Sequence, residues 1–214
     1  ELDSLLKTPK GLGKLEDLAI QLAGIRENYV PEKKVVLVMA ADNGVEAEGV
    51  SASKRVITQY VVEAMLNGNS SINSLAETFN AEVKVVDLGI DTDKNLSGII
   101  DRKVMKNGTN NIRYEEAMTR EETIRAIEIG IEIVEELVKT GYNLFALGEM
   151  GIGNTTTSSA VLKIMTDISL DEIVGRGSGI NDKTLIHKKN VIKDSIELNN
   201  PDKSDPVDIL SKVG

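Results

Sequence analysis

In this 214-residue sequence the segment richest in chemistry is Gly148-Glu149-Met150-Gly151-Ile152-Gly153-Asn154-Thr155-Thr156. Its glycines let backbone approach a ligand closely. Asn154 or Thr155 is placed to cap a helix running on through Ser158, Ala160 and Leu162. A glycine loop at a helix N-terminus offers N–H groups and the positive end of the helix dipole, which suits an anion. The string has no P-loop lysine, and Thr156 stands where a dinucleotide fingerprint has its third glycine. A tight strand-to-helix turn with a good cap would show the same pattern with no ligand. Glu149 argues for more. A carboxylate among glycines and apolar residues, directly after a buried strand, is costly unless it is used. Desolvated there, it could hold or move a proton; the alternative is an exposed loop carboxylate.

A second glycine turn, Gly175-Arg176-Gly177-Ser178-Gly179, precedes Asn181-Asp182, a cap for the helix through Leu185, Ile186, Val191 and Ile192. Lys188 lies on that helix and could help hold the same anion, although a solvated lysine is the commoner case. His187, beside Lys188 and Lys189, reads as a surface residue. Asp42, in Ala41-Asp42-Asn43-Gly44, is either an Asx-turn residue or a group at the ligand edge of a sheet. Ser51 and Gln59 beyond it could line a small-molecule pocket, or serve as cap and surface.

These residues need a frame. Val35–Ala40 is a continuous apolar run of the kind buried on both faces in parallel sheets. The stretches 83–88 and 143–147 are further strand candidates, and a short strand is expected near Arg102–Met105. Helical spacing covers 1–29, with Pro31 as its stop, then 53–66, 71–79 and 119–139. In the last of these, Thr119 and Glu122 form a capping box, with Ile124, Ile127, Ile131, Val134, Leu137 and Val138 expected on one buried face. Asp205-Pro206 starts a final helix. Alternating strands and helices predict an α/β fold with a mostly parallel, Rossmann-like sheet flanked by helices. Ligands of such sheets bind beyond the carboxyl ends of the strands, where the two central motifs fall.

Composition narrows the function further. The net charge of −9 argues against nucleic-acid backbones and anionic membrane surfaces as partners. With no cysteine, one histidine and no tryptophan, thiolate metal sites, thiol nucleophiles and stacking platforms are excluded. No apolar run approaches the roughly 18 residues of a membrane span, and no signal-peptide pattern opens the chain. A cytoplasmic protein with no metal and no cofactor is expected.

Ala41-Asp42-Asn43-Gly44-Val45 with Glu48-Gly49-Val50-Ser51, the Gly148–Thr156 string, the Gly175–Gly179 turn and an earlier Pro9-Lys10-Gly11-Leu12-Gly13-Lys14-Leu15-Glu16 occur in family order. Together they closely resemble the nicotinate-nucleotide–dimethylbenzimidazole phosphoribosyltransferases of cobalamin lower-ligand assembly. The resemblance implies transfer of 5-phosphoribose from nicotinate mononucleotide to 5,6-dimethylbenzimidazole with inversion, giving nicotinate and α-ribazole 5′-phosphate, by a homodimer. It implies that Glu149 bonds or deprotonates the incoming base, and that Ser51, Gln59 and Met150 line its pocket. Phosphate and ribose would fall to Gly151, Gly153, Asn154, Thr155, Gly177, Ser178 and Lys188. Asp42 is a motif residue without an assigned role. Family members run longer at the carboxyl end, where their principal general-base glutamate lies. The chain is therefore expected to hold a helical segment of a small satellite domain (1–30) and an incomplete α/β domain (31–214). An alternative is a nucleotide- or benzimidazole-binding fragment without turnover.

Overall fold

Residues 34–41 have side chains that alternate between two apolar layers, and the rest of the α/β unit is arranged around them. The computed structural model describes residues 4–26, 30–166 and 168–214. These fall into two units, Glu1–Glu32 and Lys33–Gly214.

In the first unit, turns through Pro9-Lys10-Gly11-Leu12-Gly13 lead into α1 (Lys14–Ile25). Glu16 organises it: its carboxylate accepts from the Leu12 N–H (3.2 Å) and pairs with Lys7 (3.0 Å). The hydrogen bond from Lys7 holds that carboxyl below its usual range. The helix is shorter than the expected 1–29, ending well before Pro31; residues 1–3 and 27–29 lie outside the described ones.

The second unit begins with β1 (Lys34–Ala41), followed by a 3-10 turn (Gly44–Glu48), α2 (Ile57–Leu66), α3 (Ser71–Thr78) and β2 (Ala81–Gly89). Next come β3 (Ile100–Asp101), α4 (Arg120–Lys139), β4 (Leu144–Met150), α5 (Asn154–Met165), α6 (Leu170–Ile173), α7 (Asp182–Asn199) and α8 (Pro206–Val213). The sheet order is β3-β2-β1-β4 and every pairing is parallel. Val36, Val38 and Ala40 face one way and pack with Val62, Ala76 and Val85. Val35 and Leu37 face the other way, against Val86, Ile129, Ile133 and Leu137 of β2 and α4. A third cluster joins α5, α7 and α8 through Ala160, Ile164, Ile192, Ile209 and Val213.

Four expectations are corrected. The short strand lies at Ile100–Asp101, not Arg102–Met105; the latter stretch follows it, with the Val104 and Met105 N–H groups donating to the Leu88 carbonyl. α4 has its predicted Thr119–Glu122 capping box (2.8 and 3.1 Å), but it buries Thr123, Ile129, Ile133 and Leu137. Ile124, Ile127, Ile131 and Val138 are exposed. The helix carries two apolar stripes, and the sheet buries the one with Ile129, Ile133 and Leu137. β4 extends through Glu149 to Met150 at one edge of the described sheet, and much of it is exposed. The N-cap of α5 is Gly153 in a left-handed conformation, with no side-chain cap.

Candidate anion site at the sheet edge

β1 leads to β2 on one side, while β4 lies on its other side, so the strand order reverses between β1 and β4. Crevices open at such reversals beyond the strand ends. Here Asp42-Asn43 follow β1 and Gly151-Ile152-Gly153 follow β4, and the two segments pack on each other. Gly151 packs so tightly on β1 that a Cβ would collide with the Ala41 carbonyl. Gly153 has φ +97° and presses against Asn43. These two glycines therefore seat the loop against the protein, a role the sequence had left to a ligand.

The loop aims the N-terminus of α5 at the second glycine turn. Gly177, at φ +53°, brings its Cα close to Thr155 and Lys188: a Cβ there would sit 3.2 Å from Thr155 Oγ1 and 3.7 Å from Lys188 Nζ. A cavity of about 90 Å³ lies between, roughly three times a water's share of liquid volume. Val50, Ser51, Ile152, Gly153, Asn154, Thr155, Thr156, Arg176, Gly177, Ser178 and Lys188 line it. Six of the seven residues expected for phosphate and ribose thus meet at one cavity; Gly151 supports it from behind. Ser51, expected on the benzimidazole side, also lines this cavity.

Lys188 is the decisive side chain. It is 1% exposed, and Nζ donates to Thr155 Oγ1 at 2.7 Å. An ammonium has three donors, and among the described residues no carboxylate pairs with it. Burial pushes its pKa down. Beside it, the buried Thr156 hydroxyl has no hydrogen-bond partner among the described residues. An uncompensated buried cation, an orphan hydroxyl and a helix N-terminus share one small cavity, which suits an anion with several acceptor oxygens. Arg176 adds a cation at the rim, held by the Ile180 carbonyl (3.0 Å) and Asp182. Lys188 does not act as the solvated lysine its sequence context favoured.

Glu149 departs from expectation. It lies within β4, opposite Met39, and it is exposed. Both its oxygens accept from Asn154 Nδ2 (2.6 and 2.7 Å), and Asn154 Oδ1 accepts from the Thr155 N–H (2.7 Å). A polar chain therefore runs from Glu149 through Asn154 and Thr155 to Lys188. The carboxylate is not dehydrated, because no layer covers this face of the edge strand among the described residues.

Gln59 is buried, and its amide is engaged on both sides, donating to Glu63 (2.9 Å) and accepting from Thr92 (2.6 Å). Met150 packs on the first core cluster. Neither lines the cavity. Asp42 is 1% exposed; Oδ1 accepts from the Thr58 hydroxyl (2.7 Å) and Oδ2 from the Asp91 N–H (2.8 Å). Burial pushes its pKa up, against the pull of those two hydrogen bonds and Arg55. Sequence reasoning missed Thr58, Thr156 and Arg176 as participants. Arg176 and Thr156 stand inside the two glycine motifs and were legible there, whereas Thr58 gave no signal.

A family model described as Phosphoribosyltransferase matches residues 1–214. The chain belongs to this phosphoribosyltransferase family. Among its relatives, the nicotinate-nucleotide–dimethylbenzimidazole phosphoribosyltransferase of Acetivibrio thermocellus is 49% identical over all of this chain and 61% of its own length. The protein of the same name from Halalkalibacterium halodurans is 45% identical, with 60% of its length covered. The crystal structure of CobT from Thermus thermophilus superposes with a TM-score of 0.91 at 35% identity, covering 99% of this chain and 64% of that one. The chain thus spans about 60% of the length of the curated relatives. Among the described residues, no helix is long and apolar enough to cross a membrane.

Proposed function

We propose that this chain holds the phosphoribosyl group in a transferase that moves 5-phosphoribose from nicotinate mononucleotide to 5,6-dimethylbenzimidazole, releasing nicotinate. One observation carries the reading: the buried Lys188 ammonium, with a single hydrogen bond, at the N-terminus of α5. A 5′-phosphate in the cavity would take the remaining Lys188 donors, the orphan Thr156 hydroxyl and α5 backbone N–H groups. The ribose would then extend along the Asn154–Glu149 chain, and Glu149 would meet the reacting end of the nucleotide or the incoming base nitrogen. With C1′ bound to nicotinate on one face, attack by that nitrogen from the other breaks the glycosidic bond as the new one forms; nicotinate leaves with the bonding pair, and the other base nitrogen gives up its proton to Glu149 or to water. The site supplies position and charge for that exchange. The acceptor base follows the relatives' names, and a homodimer is what the motif resemblance implies.

Calorimetry with nicotinate mononucleotide tests the reading. Binding is expected, and Lys188→Met should weaken it about 10- to 100-fold, since a hydrogen bond to a charged group is worth about 1.5–3 kcal/mol. No binding, or equal binding by the variant, overturns it. The exposed Glu149 favours a second reading, binding without turnover. Chromatography for nicotinate after adding dimethylbenzimidazole separates the two: release supports transfer by this chain, and binding without release supports the second.

A further inference from the structure

Thr58 and Asp42 do not line the anion cavity, yet they tie the glycine loop to the rest of the sheet edge. Thr58 is fully buried in the first turn of α2. Its hydroxyl accepts from the Ile152 N–H (3.0 Å) and donates to Asp42 Oδ1 (2.7 Å). Ile152 lies between the two seating glycines and lines the anion cavity. The other Asp42 oxygen accepts from the Asp91 N–H (2.8 Å). The next residue, Thr92, donates to Gln59 Oε1 (2.6 Å), and Gln59 follows Thr58 on α2. Arg55, the neighbouring cation, is engaged elsewhere, with Asp91 (3.2 Å) and the Asn107 carbonyl (3.3 Å).

The residue types are selective. Two donors approach Asp42 from different elements, so both of its side-chain termini must accept; a carboxylate does this and an amide does not. Thr58 must donate and accept at once, which a hydroxyl does and a methyl does not. Burying a carboxylate at 1% exposure is expensive, and a core filler of the same size would avoid that cost.

We infer that Asp42 and Thr58 are positioning residues: their relay sets the pose of Ile152, and through it the fit of the glycine loop to the phosphate. The inference rests on the phosphate reading above for its ligand, but not for its mechanics. The relay has a second arm, through Asp91 and Thr92 to Gln59, so one buried carboxylate links the loop that holds phosphate to the side on which the resemblance places the acceptor base.

The test compares wild type, Thr58→Ser and Thr58→Val. Each is titrated with ribose 5-phosphate by calorimetry, and amide exchange is read at Ile152. Thr58→Val should weaken ribose 5-phosphate about tenfold and speed Ile152 exchange at least as much, while amides in β1 keep their protection. Thr58→Ser should restore both, a rescue that lost packing would not give. Thr58→Val with wild-type affinity and wild-type Ile152 exchange overturns the inference. Asp42→Asn is the second variant, should Thr58→Val not fold. It retains one acceptor for two donors, so Ile152 or Asp91 must exchange faster, and unchanged exchange at both overturns the inference. If wild type binds no ribose 5-phosphate, the phosphate reading fails. Exchange at Ile152 then decides the relay alone: faster in Thr58→Val and restored in Thr58→Ser supports it, and unchanged refutes it.

Discussion

Lys188 shows how one side chain can cost stability and supply affinity. Burial lowers its folded-state pKa below 10.5. The folded chain therefore sheds this proton before the unfolded chain does. Its contribution to stability is unfavourable at neutral pH and is relieved as pH rises through the lowered value towards 10.5. Lys188→Met should accordingly raise the thermal midpoint at pH 7 by a few degrees, where about 1 kcal/mol corresponds to roughly 2–4 °C for a chain of this size. Scanning calorimetry checks this, and a lowered midpoint would show that the ammonium is net stabilising. The same residue sets a pH profile for binding. A phosphate monoester becomes a dianion above about pH 6, so affinity should climb from pH 5 to 7. It should then fall at alkaline pH as Lys188 deprotonates in the free protein. In Lys188→Met the alkaline fall should vanish while the acid limb persists; a fall that survives the substitution would assign it to another group.

At the scale of elements, α4 separates what helical spacing can say from what it cannot. Its capping box, from the Thr119-to-Glu122 spacing, formed as read, because a cap is local and needs only backbone a turn away. The choice of buried face is not local. Ile124, Ile127 and Ile131 recur as regularly as Ile129, Ile133 and Leu137, and packing on the sheet took the second set. Ile133, 1% exposed, should lose about 2–5 kcal/mol on truncation to Ala. Ile131, at 57%, should change by no more than about 0.5 kcal/mol. Urea midpoints of the two variants check this, and equal losses would refute the assignment of faces. α2 repeats the lesson: it turns Thr58 and Gln59 inward while Val56 and Tyr60 are exposed. An apolar-periodicity reading misplaces such a face, because beside Val62 it carries polar groups with partners waiting for them.

For the molecule as a whole, the edge strand matters most. β4 exposes Leu147 at 80%, and Leu162 and Met165 of α5 are exposed as well. An uncovered apolar edge strand invites pairing with other chains. The chain should therefore self-associate as its concentration increases, read as a rise in light scattering. Leu147→Lys should suppress that rise without moving the unfolding midpoint by more than about 0.5 kcal/mol. Undiminished scattering in the variant would place the sticky surface elsewhere. The same lack of cover keeps Glu149 wet, whereas Lys188, enclosed by α5, α7 and the second glycine turn, is dry.

The order of strands and helices, the parallel sheet, the two glycine turns and the family could all be read from residue order, because turns, caps and motifs are decided by neighbours a few positions apart. Which lysine is buried, which threonine bridges two loops and which carboxylate meets water could not. Those properties depend on the layers that cover a side chain, and the layers come from segments as distant as Asp42, Ile152 and Lys188. Folding alone made a common solvated residue type into a buried charge with donors to spare.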